Sequence, residues 1–146
     1  MPEGPQKTLL EIAAATRYPI DAFQFVRRGL DFTVHRIHAN PEQLPDAQRH
    51  VSGQQLSSGL RDFAVHQYGD MARIVLRRWN ITRTEDFGRI VFAMVEGGLM
   101  QATEGDSIHD FDAVFDFTEA FEYPIPMERV PAEGLGEQAA PQEPQT

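Results

Sequence analysis

Apolar residues recur every three or four positions over most of the first hundred residues, the period of amphipathic helices. Ile20, Phe23, Val26, Leu30, Val34 and Ile37 mark one stripe and predict a helix over 20–38. Phe25 and Phe32 widen its apolar arc, which implies more than one neighbour. Arg27, Asp31 and His35 follow at four-residue intervals on its polar side, where opposite charges give weak support. Gly29 in its middle costs about 1 kcal/mol against alanine. A second stripe, Leu56, Leu60, Phe63 and Ala64, predicts a helix that Gly69 stops. A third helix runs through 71–79, with Asn80 suited to a left-handed C-cap. The fourth carries Phe87, Ile90, Val91, Met94 and Val95 and ends at Gly97-Gly98.

Polar punctuation sets the starts. Thr8 with Glu11, and Ser52 with Gln55, fit the capping box, in which the two side chains satisfy each other's orphan backbone donors. The first opens a short helix over 8–15, which Tyr18-Pro19 breaks because a residue before proline avoids the helical region. Thr82 or Thr84 is expected to cap the fourth helix, with Glu85 and Asp86 against its positive end. Pro41 and Pro45 make 39–51 a connecting loop. Ser107 and Asp110 have the same box spacing and open a short helix. Residues 99–106 fit a small β-hairpin around Glu104-Gly105-Asp106. The expected fold is mainly α: one compact helical domain over 8–123 with a helix-turn-helix-like pair at 71–97, winged-helix-like if the hairpin forms. Residues 124–146 hold five prolines and few large apolar side chains, so an acidic disordered tail is expected there.

Charge changes this picture. The formal net charge is −9, and the chain has no cysteine. Disulfides, thiolate metal sites and cysteine catalysis are thereby excluded. Residues 1–103 carry 12 bases against 11 acids, whereas 104–146 carry one base, Arg129, against 11 acids. Such segregation points to an interaction tail or to an electrostatic partner within the chain. No apolar run reaches the roughly 18 residues that a membrane span needs. Residues 1–7 also lack the layout of a secretory signal. A cytoplasmic protein without membrane attachment is expected.

A DNA-reading helix must offer a polar, basic face to the major groove. The helix after 84 is apolar on nearly every side, leaving only Arg89, Ala93 and Glu96 in a narrow polar sector. Its start carries Glu85 and Asp86, which repel phosphate. Both features speak for a central core helix and against sequence-specific DNA binding. The bases concentrate just before it. Arg73, Arg77, Arg78, Arg83 and Arg89 fall within 17 residues, against Glu85 and Asp86 alone. Arg78 lies close to the apolar arc of Met71, Ile74, Val75 and Trp79. These five arginines are the candidate anion- or partner-binding residues, unless the acidic segment 104–123 folds back and neutralises them.

Other constellations carry less. His35 and His38 are three apart on a helix, but a structural zinc wants four ligands, so solvated or capping roles fit better. Glu104, Asp106, Asp110, Asp112 and Asp116 lack the alternation, central glycine and terminal glutamate of a calcium loop. Ser52, Ser57 and Ser58 stand in no nucleophile elbow. No metal or cofactor is expected. The aromatics Phe111, Phe115, Phe117, Phe121 and Tyr123, set among seven acids, read either as core or as anchors for a partner.

Several blocks together resemble the Minf-type family of small bacterial proteins. They are Tyr18-Pro19 with Ala22-Phe23, His50-Val51-Ser52-Gly53-Gln54, Arg78-Trp79, and above all 84–92 (TEDFGRIVF) with Asp116-Phe117. The resemblance covers about 8–123 and implies a domain boundary there and a cytoplasmic location. It assigns no catalytic or binding residue, because no activity is attached to that family. The expected function is a non-enzymatic interaction protein that binds a protein partner through helix 71–80 and the acidic-aromatic segment. An RNA- or ribosome-associated factor is the second reading, and a small enzyme with an unrecognised site the third.

Overall fold

The computed structural model describes residues 7–38, 40, 43, 50–101 and 105–121. The expected acidic tail, 124–146, lies outside the described residues, as do 102–104. The architecture is mainly helical: α1 (Leu9–Ala14), α2 (Ile20–Ile37), α3 (Gly53–Tyr68), α4 (Ala72–Arg78), α5 (Thr84–Glu96) and α6 (Phe117–Ala120). Two 3-10 turns, Gly69–Met71 and Ile108–Phe111, supplement them. No described helix is long and apolar enough to cross a membrane.

The starts follow the capping residues. Thr8 and Ser52 accept from the amides of Glu11 and Gln55, whose side chains reach back to the cap amides. At the second 3-10 turn Ser107 Oγ accepts from the His109 amide, and Asp110 accepts from the Ser107 amide. Asn80 adopts the left-handed conformation at φ 66° and closes α4.

The core is an aromatic and aliphatic interior in which Phe23, Phe25, Leu60, Leu76, Ile81, Phe87, Ile90 and Met94 are fully buried. α5 runs through it, touching α1, α2, α3 and the turn at 108–111. Its burial matches the expected all-round apolar character, with Arg89 and Glu96 exposed. α2 packs against α3 with their backbones close together. A Cβ on Gly59 would stand 2.0 Å from Thr33 Oγ1, and one on Gly29 2.2 Å from Leu60 Cδ2. Gly29, a cost to the isolated helix, is therefore what lets α3 approach. One buried group is left over: Ser57 Oγ has no hydrogen-bond partner among the described residues. Ser57→Ala is accordingly expected to leave stability unchanged or raise it by about 1 kcal/mol in urea unfolding.

Two expectations are corrected. The hairpin near 99–106 is not formed among the described residues, which contain no strand, and with it goes the winged-helix-like arrangement. The residues after α5 are spent on stopping the helix. Leu99 N–H donates to Met94 O at 2.9 Å and Gly98 N–H to Val95 O at 3.1 Å, with Gly98 at φ 85°. This paired pattern around a left-handed glycine is the Schellman stop. Nor does either threonine cap α5. The Asp86 carboxylate accepts from the amides of Thr82 and Arg83 at 2.9 and 3.2 Å. Thr84 is buried and pins the C-terminal segment, its hydroxyl donating to Phe111 O at 2.7 Å and accepting from Val114 N–H at 3.1 Å.

Candidate functional site

The five candidate arginines divide into two groups. Arg83 and Arg89 belong to the start of α5, where the chain assembles a network around Asp86. That carboxylate is 1% exposed. Oδ1 accepts from the Tyr18 hydroxyl, from Arg89 Nη1 at 2.7 Å and from Arg17 Nη2 at 3.3 Å. Oδ2 takes the two amides. Asn80 fixes the approach of the 15–19 turn, donating from Nδ2 to Arg17 O at 2.6 Å.

Each ionisation in the network follows from its surroundings. Burial alone would raise the Asp86 carboxyl, but hydrogen bonds from Tyr18, Thr82, Arg83 and Arg17 outweigh it and hold the group below its ordinary value. Burial, followed by the hydrogen bond to Asp86, pushes the Tyr18 phenol up and keeps it a donor. Arg17 and Arg89 are held above the usual guanidinium value, first through Tyr18. Sequence reasoning missed Arg17, Tyr18 and Asp86. The one available signal was Asp86 lying four residues before Ile90, on the edge of the buried stripe.

Arg73, Arg77 and Arg78 form the second group, on α4. The helix is rotated from the arc expected in the sequence. Ala72 and Leu76 face the core, Val75 and Trp79 are half-buried, and Met71 and Ile74 are exposed at 52% and 44%. Trp79 leans inward, its ring 5.6 Å from Phe25 and 6.1 Å from Tyr68. The three arginines are exposed, so the guanidinium of Arg78 sits in water. Arg73 donates to Thr118 Oγ1 at 3.0 Å. Among the described residues, none of the three has a carboxylate partner.

The acidic-aromatic segment does fold back, but through its rings. Phe111, Phe117 and Phe121 are buried, with Phe117 5.8 Å from Phe87. Phe115 lies under the Arg61 guanidinium at 5.5 Å. Two of its carboxylates reach histidines, Asp106 lying 3.3 Å from His50 and Asp112 3.0 Å from His109. Among the described residues, Asp110, Asp112, Asp116 and Glu119 make no ion pair with the five arginines. Glu85 turns toward this segment as well, accepting from Ala113 N–H at 3.0 Å.

The remaining candidates stand apart. His35 Nδ1 lies 2.9 Å from Asp31 O, and His38 Nε2 lies 2.8 Å from His50 O, so the two rings serve different carbonyls. Among the described residues, no group of three His, Asp or Glu could hold a metal ion. Ser52 is a helix cap. A groove of about 720 Å³ opens between α2, α3 and α5, floored by Leu30, Val34, Leu56, Val91, Val95 and Phe111. No family model, curated protein or solved structure matches this chain.

Proposed function

We propose that this chain is a non-enzymatic interaction module that docks an acidic, apolar-bearing segment of a protein partner on α4. A single observation carries the reading: Met71 and Ile74 stand in solvent inside a frame of Arg73, Arg77 and Arg78 that no described carboxylate neutralises. Aliphatic side chains exposed at half their surface gain by burial, roughly 25 cal/mol for each Å² removed from water. Guanidiniums around them select carboxylates and give the approach its steering. An apolar residue flanked by Asp or Glu satisfies both demands. The buried rings of 111–121 serve the core, so the docking element is the helix.

RNA is less well served by this face. Single-stranded RNA binding uses aromatic platforms on which bases stack, and Trp79 is turned toward Phe25 and Tyr68. Phosphate makes no use of Ile74. Calorimetric titration of the full chain with a synthetic Glu/Leu peptide, and separately with poly(U), tests the choice. Ile74→Asp is expected to weaken the peptide at least tenfold while shifting stability by no more than about 0.5 kcal/mol. The Arg73→Ala/Arg77→Ala variant is expected to weaken it and flatten its salt dependence. Peptide binding indifferent to both variants overturns the reading. So does poly(U) binding tighter than the peptide and insensitive to Ile74→Asp.

A further inference from the structure

The Asp86 network holds more donors and more positive charge than its carboxylate can use. A carboxylate offers about four lone-pair positions. Tyr18, two backbone amides and two guanidiniums already converge on it. A guanidinium carries five N–H donors in a rigid fork. One nitrogen each from Arg17 and Arg89 is engaged at Asp86 Oδ1 and the Tyr18 hydroxyl lies beside both, which still leaves N–H donors over on each fork. Both remain in contact with solvent, at 65% and 43% side-chain exposure. Because they share one oxygen, at 3.3 and 2.7 Å, their bonded nitrogens lie no farther apart than those two lengths laid end to end. Two cations on one buried anion leave one positive charge uncompensated. Glu85 makes no described ion pair with either guanidinium; its carboxylate accepts from Ala113 N–H.

We infer that Arg17 and Arg89, clamped by Asp86, form a binding site for a phosphomonoester dianion. Its chemistry matches on three counts. A phosphomonoester carries about −1.5 to −2 charge at neutral pH and three acceptor oxygens, against two guanidiniums whose charge a single carboxylate only half offsets. Paired arginine forks meet such oxygens with parallel hydrogen bonds. The forks are held in place by a carboxylate inside the protein, so little side-chain ordering remains to be done on binding. The amides at the start of α5 take no part, because Asp86 already occupies those of Thr82 and Arg83. The site stands independently of docking on α4.

The source of the phosphoryl group, a small ester or a phosphorylated residue, is separated by the probes. The full chain is titrated with phenyl phosphate, with an acidic phosphoserine peptide and with the same peptide unphosphorylated. Guanidinium Nε–Hε resonances are followed by NMR. Arg17 and Arg89 are expected to shift together with phenyl phosphate, while Arg28, engaged with Gln67 and the Phe63 ring, stays in place. Arg17→Gln and Arg89→Gln are each expected to weaken binding about tenfold, the loss of a charge-assisted contact at a part-exposed site. Arg28→Gln is expected to leave it unchanged. Phosphopeptide binding well above phenyl phosphate assigns the group to a partner's residue; equal binding assigns it to a small ester. The inference is overturned if phenyl phosphate and phosphopeptide leave the Arg17 and Arg89 resonances of the native chain unmoved. It is equally overturned if all guanidiniums shift alike. Because the resonance test uses the unaltered protein, it holds even if Arg89→Gln loosens the fold.

Discussion

Replacing Asp86 with alanine is expected to lower the free energy of unfolding by about 3–5 kcal/mol, the range for removing one member of a buried charged network. The loss has identifiable parts. The buried Tyr18 hydroxyl and the amides of Thr82 and Arg83 forfeit their acceptor, and α5 forfeits its cap. Arg17 and Arg89 contribute less, since both reach water. Asp86→Asn keeps the shape but turns an amide group toward converging donors, and a loss of about 2–4 kcal/mol is expected. Urea unfolding at neutral pH measures both.

The pH dependence distinguishes the charge from the shape. The folded-state carboxyl lies below its ordinary value of 3.8. Its contribution is therefore complete above that value and is lost as pH falls through the folded one. The stability gap between the native chain and Asp86→Asn is expected to stay constant from neutral pH to about pH 5 and to narrow toward about pH 2. A gap that does not change over that range would show that the charge on Asp86 adds nothing.

Gly59→Ala is expected to cost about 2–3 kcal/mol, although alanine is favoured in an isolated helix by nearly 1 kcal/mol. The new methyl would stand 2.0 Å from Thr33 Oγ1 and 2.7 Å from its Cγ2. Thr33 cannot turn aside easily. It is β-branched within α2, 2% exposed, and its hydroxyl donates to Gly29 O at 2.7 Å. Gly29→Ala meets the flexible end of Leu60 first, so a smaller loss, about 1–2 kcal/mol, is expected. The double variant Thr33→Ala/Gly59→Ala should recover part of the loss, a coupling readable in a mutant cycle by urea unfolding. Strict additivity would show that the helices separate with little resistance.

Features that depend on neighbours in the chain were legible. Thr8 with Glu11, Ser52 with Gln55 and Ser107 with Asp110 marked starts at the residues where they occur, because a cap is satisfied within four positions. The apolar spacing of 20–37 and 84–96 located α2 and α5 for the same reason. Features that depend on distant residues were not. Gly29 reads as a weakness until α3 is laid against it. Asp86 reads as a surface acid at a helix start until Tyr18, some 68 positions earlier, is brought onto it. Met71 and Ile74 read as core residues because spacing fixes which residues share a face, not which face turns inward. The arginines were found as a group, but distance along the chain could not separate those around Asp86 from those on α4.

The seat of Phe111 bears on how the molecule is assembled. A Cβ on Gly88 would stand 2.9 Å from Cβ, Cγ and Cδ1 of that side chain, so the phenylalanine fills a notch cut into α5. Thr84 binds the carbonyl of the same residue, and Phe117 covers Phe87 beside it. The interior thus lacks a wall until this stretch arrives, and during vectorial synthesis the earlier helices wait with an apolar side open. A chain cut before residue 107 is therefore expected to leave Phe87 and the Gly88 notch open to solvent and to bind an apolar dye that the full chain does not.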